Sequence, residues 1–393
     1  MSGPLTGLRV IDVGQLIAAP LTATLLADFG ADVVKVERPG VGDAGREMGP
    51  RKGDIPLWWK VNGRNKRSIA LDLKDDADRE IFRRLVEQAD VLVENFAVGV
   101  MDRLGLGYET LREWNPGLVQ LSVSGFGQTG PRRHSKGFGR NAEAFSGMAY
   151  TTGYPDRPPI HLAFPVADSV SGIFGAFAVL AALRERETNP TGEGQMVDLA
   201  LYEAVFRLME FTAIAYDQLG EVTEREGARS TYVAPVNTWR TKDGKWASFT
   251  GSTQAMVERL FRAIGRPDLL TDARFLTNKA RMAHRDELDE ILSAWMADHT
   301  LAEVTRIFDE HQVAIAPVYS IADIFAEPHY WAREAIIEVD DDELGPVRMQ
   351  GVVPKFSRTP GAVRHTGPRI DQDRESILAD WLAEAVTGGE ARR

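Results

Sequence analysis

The chain has no cysteine in 393 residues. That excludes disulfides, thiolate metal ligands and a cysteine nucleophile, so any covalent catalyst must be Asp, Glu, Ser, Thr, Lys, Tyr or His. Histidine is scarce, with 7 residues and no H-E-x-x-H or similar spacing; no metal is expected, and His134 and His161 read as surface or loop residues. No G-x-G-x-x-G follows the first strand-like run and no G-x-x-x-x-G-K-[ST] occurs, which disfavours ordinary NAD and ATP sites. A serine nucleophile has no G-x-S-x-G to sit in. Positive charge is in deficit, at a net −11, which argues against nucleic acid or an anionic membrane as a general partner. The longest uncharged apolar run, "GIFGAFAVLAAL", has 12 residues, short of the roughly 20 that cross a bilayer, and reads as a core helix. "MSGPLTGLRVIDVG" has no basic stretch ahead of an apolar core, so a cytoplasmic location is expected.

What is present is the composition of a globular protein, 44% hydrophobic and 26% charged, in a chain long enough for two or three domains. "LRVIDV" (8–13), "DVVKVE" (32–37), "SIALDL" (68–73), "DVLVEN" (90–95), "LVQLSVSGFG" (118–127) and "GQMVDLAL" (194–201) are strand-like runs separated by helical ones. Such alternation predicts an α/β fold with a parallel sheet covered on both faces. "YEAVFRLMEFTAIAYDQLG" reads as one more helix. We expect residues 1–205 to form most of a large domain, 206–232 a linker, and 233–320 a smaller α+β domain opened by a hairpin across Asp243-Gly244. Residues 321–393 then return to the large domain and end in the helix "RESILADWLAEAV".

Three features could carry chemistry. Arg38, Arg46, Arg51, Lys52, Arg64, Lys66, Arg67 and Lys74 make a basic cluster near the second and third strands, either a solvated surface or a phosphate site. The acidic "VDDDE" (339–343) reads as a solvated turn. Asp168 lies in "HLAFPVADSVSG" where a small-residue helix begins. Helix capping is the common use of such an Asp, and nucleophilic catalysis the rarer one.

The segments "GLRVIDVGQLIAAPLTATLLADFGADVVKVERPGVGD", "NKRSIALDLK", "DVLVENFAVGVMDRLGLGYETL", "NPGLVQLSVSGFGQTGP" and "VADSVSG" together resemble the class III coenzyme A transferases. That is the family of formyl-CoA transferase, carnitine CoA-transferase and α-methylacyl-CoA racemase. The resemblance implies a Rossmann-like large domain, an interlocked ring-shaped homodimer, coenzyme A esters and a small carboxylic acid as substrates, and Asp168 as the nucleophile. Leu162, Phe164, Pro165 and Val166 would shield that carboxylate from water. By position it also implies coenzyme A contacts at Ile17, Ala18, Arg38, Leu71, Asp72, Leu73, Lys74, Asn95, Phe96, Ala97, Arg103, Lys136, Gly137 and Phe138. Within the basic cluster this supports a phosphate role for Arg38 and Lys74, and adds Arg103 to them; the other cations read as solvated.

Two departures are informative. Ile17 stands where formyl-CoA transferase has a Gln beside the scissile carbonyl, leaving Gln15 or a backbone amide as the oxyanion donor. The glycine-rich lid of the oxalate-using enzymes has no counterpart, which disfavours oxalate and formyl-CoA. The alternatives are a racemase or a catalytically silent coenzyme A-binding protein. Phe138 replaces the racemase His and cannot take a proton, with Glu143 the first substitute base to consider.

Overall fold

Runs dense in Val, Ile and Leu become six short strands: β1 Arg9–Asp12, β2 Asp32–Glu37, β3 Lys66–Ala70, β4 Val91–Glu94, β5 Val119–Ser124 and β6 Met196–Ala200. All neighbours pair parallel, in the order β3-β2-β1-β4-β5-β6. Side chains alternate across a pleated sheet, so each strand feeds two cores. Val10, Val33, Val91 and Val93 join Ala23 and Leu26 of α1 (Ala18–Asp28) on one face. Ile11, Val34 and Leu92 join Phe82 and Leu85 of α2 (Asp76–Val86) on the other, together with Ile377 and Trp381 of the returning chain. Burial on both faces explains why the strand sequences are nearly continuous in aliphatic residues.

The computed structural model describes residues 3–382, which form two compact units. The first takes the described residues up to Met148, Leu162–Glu210 and those from His329 onward; the second takes Ala149–His161 and Phe211–Pro328. Residues 149–161, expected in the large domain, therefore group with the second unit. The expected single helix over 202–220 is two, Leu201–Arg207 and Thr212–Leu219, interrupted where Glu210 takes φ +45°. The third strand starts at Lys66 rather than Ser68. Its lysine stays inside the fold because Asp12 pairs with it at 2.9 Å, a compensation that strand propensity cannot reveal. The last helix, expected over 374–386, is seen as Arg374–Leu382; its remainder lies outside the described residues.

The second unit has strands β7 Val236–Arg240, β8 Trp246–Thr250 and β9 Ile315–Pro317, antiparallel in the order β9-β8-β7. Helices Gln254–Ala263, Arg285–Ala297 and Leu301–Glu310 supply its core with Phe261, Leu288, Leu292 and Phe308.

In the first unit, α3 (Gly139–Phe145) and the long α4 (Val166–Thr188) follow β5. The small residues of α4 have a packing cause. A Cβ on Gly172 would lie 3.0 Å from Leu21, and one on Gly175 would lie 2.8 Å from Leu121, so α4 sits directly against α1 and β5. Thr22 Oγ1 reinforces the contact by donating to the Gly172 carbonyl at 3.0 Å. The helix is a core element on one face only: Val179, Ala182 and Leu183 join the core, and the opposite side is open. Ile173 and Phe177 are 59% and 70% exposed, and α4 has the length and composition of a membrane span with 39% of that stretch buried in the chain.

Candidate active site

In a parallel sheet the helices run back against the strands, so α1 and α4 both begin at the carboxyl edge of the strands. Gly172 meets Leu21 and Gly175 meets Thr22; one turn upstream on each helix stand Asp168 and Ile17. Strand order reverses between β1 and β4, and the crevice outside that point is where open α/β sheets bind ligands. The sequence thus delivers Asp168 and the β1, β2, β3 and β4 turns to one edge.

Asp168 is not the helix cap. Pro165 occupies that position without a side-chain bond, and Asp168 is the third helical residue, half-buried in the first turn. The helix N-terminus favours its anion. Burial outweighs that, and with the nearby Glu143 carboxylate pushes the Asp168 carboxyl up to about 6. Gly139 makes the approach possible: a Cβ there would collide with Asp168 Oδ2 and lie 3.1 Å from Cγ. Glu143 itself is buried, one turn further along α3. The apolar shield is another matter. Pro165 and Val166 are half-buried, but Leu162 and Phe164 are 40% and 71% exposed, so within one chain the four do not seal the carboxylate from water.

A cleft of about 280 Å³ opens at the same edge, lined by Val13, Gln15, Val36, Glu37, Arg38, Leu71, Asp72, Leu73, Lys74, Phe96 and Leu104. Six of the residues expected to touch coenzyme A line it: Arg38, Leu71, Asp72, Leu73, Lys74 and Phe96. Aliphatic walls with Arg38 and Lys74, beside the carboxylates of Glu37 and Asp72, suit a ligand that has both an apolar part and an anionic group. The other expected contacts do not line this cleft. Ile17 and Ala18 are buried at the start of α1, Ala97 is exposed, and Arg103 is exposed beside Leu104. Lys136, Gly137 and Phe138 lead into α3, with Gly137 packed on Gly125 and Phe126. Asn95 uses its carboxamide on the chain itself: Oδ1 accepts from the Gln15 amide at 2.7 Å and Nδ2 donates to the Gln15 carbonyl at 2.8 Å.

The remaining cations separate by burial. Arg46 and Arg64 are internal, Arg46 forked onto Glu37 at 2.8 and 2.6 Å and Arg64 onto Asp28 at 3.1 and 2.6 Å. Lys66 shares Asp12 with Lys35, both fully buried. Arg67 pairs with Asp32 and Asp380. Arg46, Arg64 and Lys66 are therefore neither solvated nor available to a ligand, as pairing partners distant in sequence decide, whereas Arg67 is half-buried and Arg51 and Lys52 are exposed as expected. The "VDDDE" turn is likewise tied down, with Lys60 on Asp341 at 2.9 Å and on Glu343 at 2.6 Å. Among the described residues no group of three or more His, Cys, Asp or Glu is placed to hold a metal ion.

Sequence reasoning did not single out Glu94 or Gly139. Glu94 ends β4 with its Oε2 accepting from the Phe96 amide at 2.7 Å, and burial pushes its carboxyl up to about 7. The G-x-G-x-x-G of Gly40 to Gly45 also went unremarked. It follows β2 rather than β1 and opens one short turn, Ala44–Glu47, so it is not a dinucleotide loop.

The model of CoA-transferase family III matches residues 5–374. The chain belongs to CoA-transferase family III. Succinyl-CoA–D-citramalate CoA-transferase of Chloroflexus aurantiacus is 42% identical over 380 residues, covering 96% of this chain and 94% of that protein. Acetyl-CoA:oxalate CoA-transferase of Acetobacter aceti is 34% identical, covering 97% and 96%. A CAIB/BAIF family protein from Brucella suis has the same fold, with a TM-score of 0.85 at 31% identity over 97% of this chain and all of that one. As a family III CoA-transferase the chain is an enzyme whose substrates are CoA thioesters, and the cleft with Arg38 and Lys74 has the chemistry to receive the nucleotide end of one.

Proposed function

We propose that the enzyme moves coenzyme A from an acyl-CoA to a free dicarboxylic acid through covalent intermediates on Asp168. The observation that carries this is Asp168 itself: a carboxylate at the sheet's ligand-binding edge, fitted against the one residue type that lets it approach α3. Burial and Glu143 make its oxygen more basic while most of it stays ionised at neutral pH.

In the proposed mechanism an Asp168 oxygen attacks the thioester carbonyl, a C–O bond forms, the C–S bond breaks, and CoA leaves as thiolate. The thiolate attacks Cγ of the mixed anhydride and expels the donor acid, leaving an aspartyl-CoA thioester. The acceptor carboxylate attacks Cγ, again releasing thiolate, which takes the new acyl group and restores Asp168. No net proton is consumed. Each thioester and anhydride keeps its activation only while water is excluded.

Both curated relatives described above are named for dicarboxylic acceptors, which supports that substrate class; the greater similarity to the citramalate enzyme favours a succinyl-CoA donor and a hydroxylated acceptor over oxalate. A cytoplasmic homodimer belongs to the same reading. The exposed Ile173, Phe177 and Leu180 on α4, with the uncovered Phe138 and Phe164, form apolar surface that a second copy would bury. Racemisation has no support from position 138, where Phe stands.

The test is chemical. Acyl-CoA followed by hydroxylamine should convert Asp168 alone to its hydroxamate, and Asp168→Ala should bind CoA esters without transferring them. Near-normal transfer by Asp168→Ala would refute the mechanism.

A further inference from the structure

Three consecutive backbone amides in the turn after β1 are each taken by a side-chain oxygen from a different part of the fold. The Gly14 amide donates to Asp12 Oδ1 at 2.9 Å, that of Gln15 to Asn95 Oδ1 at 2.7 Å, and that of Leu16 to Asp43 Oδ1 at 2.9 Å. In a dinucleotide fold this turn offers its amides to phosphate; here they are occupied. Leu16 holds φ +65°, a left-handed conformation that a branched side chain keeps only when its surroundings impose it.

Asp43 is built to impose it. Its Oδ1 also accepts from Gly45 at 2.7 Å, and its Oδ2 faces Lys35 Nζ at 2.8 Å, with both side chains fully buried. Lys35 in turn bonds the Gly14 carbonyl, so the same ion pair grips the turn at two points. The adjoining Ala44 amide donates to Gln15 Oε1 at 3.2 Å, and Gln15 lines the cleft.

We propose that Asp43 is a positioning residue for CoA-ester binding: it holds Leu16 left-handed and so fixes Gln15 in the cleft wall, where the Gln15 carboxamide nitrogen donates to the bound ester. This rests on the CoA-transferase reading of the cleft. It assigns a ligand-facing role to Gln15 and an indirect one to Asp43, which touches no ligand.

Steady-state kinetics with succinyl-CoA separate the possibilities. Asp43→Ala should raise KM for the CoA ester at least tenfold and change kcat less than threefold. Asp43→Asn keeps an oxygen for the Leu16 and Gly45 amides but turns its NH2 toward Lys35, so it should recover part of that loss. Gln15→Ala, which leaves the ion pair intact, should reproduce the KM rise and carries the test if Asp43→Ala does not fold. A Gln15→Ala enzyme with unchanged KM, or equal damage from Asp43→Ala and Asp43→Asn, would overturn the proposal. A wild-type chain that neither binds nor turns over any acyl-CoA would instead remove the reading beneath it.

Discussion

If Asp168 is the nucleophile, its protonation state limits the rate, and the structure fixes where that limit falls. With its carboxyl near 6, about a tenth is ionised at pH 5 and about nine-tenths at pH 7, so kcat/KM should climb with unit slope and level off above pH 7. An ordinary aspartate, titrating at about 3.9, would give a flat profile across that range. Glu143→Gln removes the neighbouring carboxylate and should move the acid limb down by about half a unit to one unit. At pH 5 the variant would then work at roughly a quarter to a half of its own plateau instead of a tenth. The assay is the initial rate of CoA transfer from pH 4.5 to 8.5 at fixed ionic strength. The 3′-phosphate of the ester titrates near 6 as well, like other phosphate monoesters, but identically for both enzymes, so the displacement between their profiles is the diagnostic quantity. Superimposable profiles would refute the electrostatic argument, and a profile flat from pH 5 upward would remove Asp168 as a group of raised pKa. Stability follows the same linkage: a raised carboxyl binds its proton more tightly folded than unfolded, so Asp168 lowers stability as pH rises from about 4 to about 6.

Gly139→Ala should lower kcat by about a hundredfold with CoA-ester binding retained, because the new methyl group displaces the Asp168 carboxylate by an ångström or so; unchanged kcat would show that the close approach is dispensable. Asp12→Asn leaves the buried Lys66 without its counter-ion, while Lys35 keeps Asp43, and should cost about 3–5 kcal/mol in chemical denaturation. Phe177→Lys on the exposed face of α4 should shift the protein from dimer to monomer in sedimentation; a wild-type chain already monomeric, or one that floats with liposomes, would refute the homodimer.

Sequence by itself determined the order of strands and helices, because aliphatic runs and helical spacing are local and the parallel pairing follows from their alternation. It also located Asp168, Arg38 and the Leu71–Lys74 stretch, whose motifs lie in unbroken segments. Tertiary structure alone decided what the polar residues do. Arg46, Arg64 and Lys66 look like Arg38 in a sequence, yet they are buried on Glu37, Asp28 and Asp12 while Arg38 lines a cleft. Charge is legible from one residue, but whether water, a counter-ion or a ligand compensates it depends on groups brought together by folding. Asn95 shows the same limit: its carboxamide is taken by Gln15, 80 residues away. Gly139 is the sharpest case. Nothing in "GFGRN" says that a glycine is needed there, since the need is for space, and the carboxylate that fills it arrives on another helix.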